Sequence, residues 1–154
     1  MWHLTSIVST GDSGYEVSKL IVQLKLLSGR YRTERLCQFW SDNREGVCLF
    51  NTCLGQSDTV DHIVSVCPAL QHVRDRMENM WHSKTKSYPA LQSLIGKMFC
   101  LPSLQRTQFI LDPSSINLPQ RVNTNDPVLP ALFKISRNFC HFINKQRMKL
   151  LKQC

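Results

Sequence analysis

No stretch of this chain is apolar for long enough to cross a membrane. Residues 20 to 27, among its longest apolar runs, are interrupted by Gln23 and Lys25, whereas a spanning helix needs about 20 residues. Met1-Trp2-His3 has no basic flank and no sustained apolar core behind it, so no secretory signal is expected and the chain is placed inside the cell, in nucleus or cytoplasm. Glycine and proline are scarce, at 6 and 7 of 154 residues, which argues against a sandwich or barrel with many tight turns and favours a mainly α fold. Acidic residues are outnumbered, 11 Asp and Glu against 19 Lys and Arg, for a formal charge of +8. There is no H-E-x-x-H and no H-x-E paired with P-C-x-x-C, so the signatures of zinc proteases and zinc deaminases are missing. No internal repeat or heptad run is present either. What remains is 42% hydrophobic residues, enough for one small helical domain around a single core.

Residues 1 to 14 read as a loose lead-in. Between 15 and 27 the set Val17, Leu20, Ile21, Leu24 and Leu27 recurs at helical spacing and is expected to face the core, with Ser13 as N-cap and Gly29 as stop. A basic turn with Arg30, Arg32 and Arg35 leads to a short helix whose Leu36, Phe39 and Trp40 share a face. Turn formers then punctuate residues 42 to 57, predicting an irregular hairpin. A helix of about two turns follows from 59 to 66, capped by Asp58 or Ser57, and Pro68 opens another that runs to about Trp81. Residues 91 to 99 and 103 to 111 read as an antiparallel helical pair. These elements form a unit from 15 to 111. A proline-rich connection, 112 to 130, precedes a final basic helix over 131 to 154. There Leu132, Ile135, Phe139, Ile143 and Leu150 gather on one side, opposite Lys134, Arg137, His141, Lys145, Lys149 and Lys152.

The most informative stretch is residues 48 to 67, a C-x4-C-x8-H-x4-C arrangement of Cys48, Cys53, His62 and Cys67. Three thiols and one imidazole suit tetrahedral zinc, and four protein ligands make the site structural, with no position left for a reacting water. His62 and Cys67 are five apart, about 140° on a regular helix at 100° per residue, so one continuous helix cannot aim both at an ion. Pro68 drives Cys67 out of helical geometry and lets its sulfur turn back. At the head of the next helix the thiolate gains from the positive end of the dipole. His72 is the replacement fourth ligand should His62 or Cys67 fail. Cys37, Cys100, Cys140 and Cys154 have no comparable spacing and read as packing residues or free thiols. Asp58 and Asp61 read as helix-capping and first-turn acids. The competing reading treats the cluster cysteines as small buried hydrophobes and His62 as a surface residue.

The run from Leu26 to Trp40, with Cys48, Cys53, Thr59-Val60-Asp61-His62 and Cys67-Pro68-Ala69, closely resembles the C-terminal region of reverse transcriptases from non-LTR retrotransposons. Arg147-Met148-Lys149-Leu150-Leu151 looks like the end of the same reading frames. The likeness extends from about residue 20 onward and is strongest from 26 to 69. It implies a polymerase upstream, a zinc knuckle ligated by Cys48, Cys53, His62 and Cys67, and a role in handling element RNA or target DNA. The chain departs from the family in having no Tyr-x-Asp-Asp and no adjacent aspartates. It therefore lacks the carboxylates that two-metal nucleotidyl transfer requires, and no catalysis is expected. Arg30, Arg32, Arg35, Lys134, Arg137, Lys145, Lys149 and Lys152 are the expected contacts to RNA or DNA phosphates, without base-specific readout. Tyr31, Phe39 and Trp40 are available to stack on unpaired bases. Two alternatives stand beside this reading: a structural module that docks on a polymerase domain, and a degenerate transposon remnant. Neither a membrane nor a small-molecule substrate is expected.

Overall fold

A computed structural model describes residues 14–34, 46–113 and 128–152. Within them the protein is mainly α. Five helices are formed, α1 (Gly14–Leu27), α2 (Gln71–Lys84), α3 (Pro89–Phe99), α4 (Ser103–Leu111) and α5 (Val128–Leu151), with a series of short turns between α1 and α2. The lead-in before residue 14, Arg35, Cys37, the short helix expected at Leu36, Phe39 and Trp40, residues 114–127 and Cys154 lie outside the described residues.

The last helix organises the rest, packing along both α1 and α2. Its Leu132, Ile135, Phe139 and Ile143 are buried, as the periodicity predicts. Trp81 of α2 and Phe109 of α4 are fully buried. They meet edge to face at 4.6 Å between ring centres, and Phe99 at the end of α3 lies 5.8 Å and 5.9 Å from them. Such a trio joins three helices through contacts worth about 0.5–1.5 kcal/mol per pair beyond area burial. Helix α2 outruns the expected stop at Trp81 and ends where the Thr85 hydroxyl donates to the Trp81 carbonyl at 2.8 Å. It is preceded by a 3-10 turn, Pro68–Leu70, with proline in the first turn where its missing N–H costs nothing.

Helix α1 corrects the sequence reading. It forms where expected and stops at Gly29, whose φ of +68° only glycine adopts freely. The predicted inward face, however, is turned outward. Val17, Ile21, Leu24 and Leu27 are exposed, and Leu20 alone of that set is buried. The buried side carries Lys19, Gln23 and Leu26 instead. Lys19 Nζ donates to Glu16 at 2.6 Å and to Asn138 of α5 at 2.9 Å. Gln23 Nε2 donates to the Leu111 carbonyl at 2.8 Å and to Ser136 Oγ at 3.3 Å. Periodicity sees hydrophobicity alone, whereas here polar partners on α4 and α5 satisfy the buried side.

A candidate metal centre

Residues 46 to 58 form a hairpin; residues 42 to 45 of the one expected over 42 to 57 lie outside the described residues. It is held by one antiparallel bridge, Val47 to Ser57, and by hydrogen bonds from Cys48 N to the Gln56 carbonyl, 2.7 Å, and Asp58 N to the Gly46 carbonyl, 3.0 Å. A 3-10 turn, Asn51–Cys53, leads into Leu54 and Gly55 at φ +48° and +78°, and these two left-handed residues reverse the chain. Cys48 and Cys53 thereby clasp one side of a common centre.

The other side comes from His62 and Cys67, through a device the sequence did not reveal. The segment His62–Val66 is a π turn, closed by a hydrogen bond from Cys67 N to the His62 carbonyl at 2.6 Å. An i→i+5 turn is wider than a regular helical turn and so narrows the angular mismatch between residues 62 and 67. Cys67 itself leaves helical geometry, φ −53° and ψ 115°, as Pro68 requires. The turn is capped by neither Asp58 nor Ser57. Thr59 Oγ1 accepts from His62 N at 3.1 Å.

Cys48, Cys53, His62 and Cys67 are all buried, and their ligand atoms lie within 4.8 Å of one another, with the Cys53 and Cys67 sulfurs 3.5 Å apart. Bonds of about 2.3 Å to sulfur in a tetrahedron place sulfurs about 3.8 Å apart. The cluster is thus close to the size of a metal site. His62 Nε2 is buried and has no hydrogen-bond partner among the described residues, the condition of a lone pair kept for an ion. Burial also holds the imidazole below its ordinary pKa, which favours the neutral, ligating form. Cys67 is shifted below the usual thiol range, chiefly by the hydrogen bond from the Cys48 thiol. Cys48 is pushed up by that same bond and by burial, and Cys53 mainly by burial. These residues could hold a metal ion. Three thiolates around a divalent ion sum to −1, and the buried Arg74 guanidinium sits behind them, donating to the Cys67 carbonyl through Nη2.

Two acids near the cluster do structural work that the capping interpretation missed. Asp58 accepts from Arg147 of α5 at 2.7 and 2.6 Å and from the Glu34 N–H at 2.6 Å. Asp61 accepts from Ser103 at 2.8 Å and Thr107 at 2.6 Å, tying the π turn to α4. The hairpin is therefore pinned to the last helix, and the π turn to the fourth.

His72 is outside the cluster, on the exposed side of α2. Cys140 is fully buried in the core, and Cys100 is an exposed free thiol. Among the expected phosphate contacts, Arg30, Arg32, Lys134, Lys145, Lys149 and Lys152 are exposed. Arg137 instead reaches Glu16 of α1 at 3.7 Å. Tyr31 is unsuited to base stacking: it is buried, its hydroxyl donates to Asn144 at 2.9 Å, and burial raises its pKa to about 12. Lys145, Lys149 and Lys152 share a cleft with Arg76 and His72 of α2, neither of which was expected among the phosphate contacts because nothing local links α2 to α5.

No helix among the described residues is long and apolar enough to cross a membrane. Comparisons with protein-family models, curated proteins and solved structures find no match to this chain.

Proposed function

We propose that this chain is a non-catalytic, zinc-stabilised helical module that binds RNA or DNA with low sequence specificity. Its proposed origin is the C-terminal region of a non-LTR retrotransposon reverse transcriptase. The observation that carries this reading is the buried convergence of Cys48, Cys53, His62 and Cys67 on one centre. Zinc is the ion that this donor set suits best. Four protein donors leave no open coordination position, so the ion's role is to hold the hairpin and π turn together. Exposed lysines and arginines with an overall charge of +8 support the polyanion partner. The missing polymerase carboxylates support the non-catalytic assignment.

Titration of labelled single-stranded RNA at increasing salt tests the reading. Affinity is expected to fall linearly on a log–log plot, as counterion release requires. Absence of binding at low salt, or binding indifferent to salt, would overturn it.

One observation favours a second reading. The outward stripe Val17, Ile21 and Leu24 on α1 suits docking on another protein, in this context the polymerase domain of the same element. Capture of a separately expressed polymerase domain, with no affinity for nucleic acid, would favour this alternative.

A further inference from the structure

The cleft between α2 and α5 has a chemistry that neither the metal cluster nor the core requires. It encloses about 570 Å³, and its lining includes His72, Arg76, Phe142, Lys145, Lys149 and Lys152 but, among the described residues, no carboxylate. Lys145 and Lys149 stand at i and i+4 on α5, and Lys152 follows in the turn just past the helix end at Leu151, a row about 10 Å long at about 1.5 Å per residue. Across from them the Arg76 guanidinium lies 5.1 Å from the centre of the Phe142 ring. That contact holds it at the wall of the cleft. No described carboxylate forms an ion pair with any of these four cations. Phe142 and the half-exposed Met148 supply an apolar floor. A second depression, sharing His72 and Arg76, continues along α2 to Lys84. Its one acid, Asp75, accepts a hydrogen bond from Gln71 at 2.7 Å.

We propose that this cleft is the track for an unpaired nucleic-acid strand. Its phosphates would lie along Lys145, Lys149, Lys152 and Arg76, with a sugar or base face against Phe142. The assignment rests on the nucleic-acid reading above and locates the binding away from the buried metal cluster. An unpaired strand, unlike a stacked duplex, has base faces free to lie against the aromatic floor.

The experiment uses the full zinc-loaded chain and a fluorescein-labelled oligouridylate. It compares Lys145→Gln/Lys149→Gln with Lys25→Gln/Lys97→Gln, an equal charge change at exposed sites away from the cleft. Each lost phosphate contact removes about 0.7 from the log–log salt slope for single strands. The cleft variant should therefore lose about 1.4 in slope, which is about 70-fold in affinity at 50 mM salt relative to 1 M. The control should stay close to the parent. Equal weakening by both variants would show that net charge alone binds, overturning the cleft while leaving the nucleic-acid reading intact. Failure of the parent chain to bind would remove both. Tighter binding to a duplex of the same length, or cleft-dependent binding to anionic phospholipid vesicles in place of RNA, would also overturn the assignment.

Discussion

Replacing Asp58 by asparagine probes the join between the metal-site hairpin and the last helix. The side chains of Asp58 and Arg147 are 1% and 4% exposed, and the two hydrogen bonds between them, 2.7 and 2.6 Å, form a bidentate pair. Asp58→Asn preserves the shape but leaves a buried guanidinium facing a neutral amide. Breaking one side of a buried pair costs about 3–5 kcal/mol. Against a total stability of about 5–15 kcal/mol, that is a large fraction. With a urea m-value of about 1–3 kcal/mol/M, the unfolding midpoint should drop by at least about 1 M. Arg147→Met should cost a similar amount, because it strands the carboxylate. The double variant should recover much of the loss, giving a coupling energy of about 2 kcal/mol or more in the cycle. All four proteins are unfolded in the same excess of zinc, so that metal linkage is held constant. A cost below about 1 kcal/mol for Asp58→Asn, or simple additivity in the double variant, would refute the anchoring role.

The outward face of α1 makes a sharp contrast testable by urea unfolding. Ile21→Ser should change stability by no more than about 0.5 kcal/mol, whereas Leu26→Ala should cost about 2–5 kcal/mol; the reverse order would restore the face expected from periodicity. Acid should also destabilise the zinc-loaded protein. Burial holds His62 and His141 below the ordinary histidine pKa, so below pH of about 6.5 the unfolded chain takes up protons that the folded chain refuses. Stability should be intact above that pH and decline beneath it, with zinc ligation by His62 acting in the same direction. Urea midpoints at pH 7.5 and 5.5 that are equal, or that rise on acidification, would contradict the assignment.

The positions of the helices were legible because their signals are local: hydrophobic spacing, Gly29 as a stop and Pro68 as a start. So was the identity of the cluster, since Cys48, Cys53, His62 and Cys67 lie within twenty residues of chain. The orientation of α1 was not legible. It depends on polar groups of Asn138 and Ser136 more than a hundred residues away, and an amphipathic pattern cannot report that its polar side has found buried partners. The π turn at His62–Val66 was hidden for a different reason. The sequence demanded some departure from regular helix to align His62 with Cys67, and proline accounted for part of it, but the insertion of a wider turn is a choice of backbone hydrogen bonding that composition does not encode. Asp58 illustrates the cost of reading acids locally. It looked like a cap, yet its partners are Arg147 and the Glu34 N–H, and the capping role belongs to Thr59.

Cys48, Cys53, His62 and Cys67 are proposed to hold a structural zinc ion. Elemental analysis of protein purified without chelator, paired with thermal unfolding before and after chelation, tests it most directly. One zinc per chain is expected, with loss of cooperative unfolding when the ion is removed, because zinc binding of about 10–16 kcal/mol becomes folding free energy. Protein that contains no metal and melts identically with and without chelator would contradict the account.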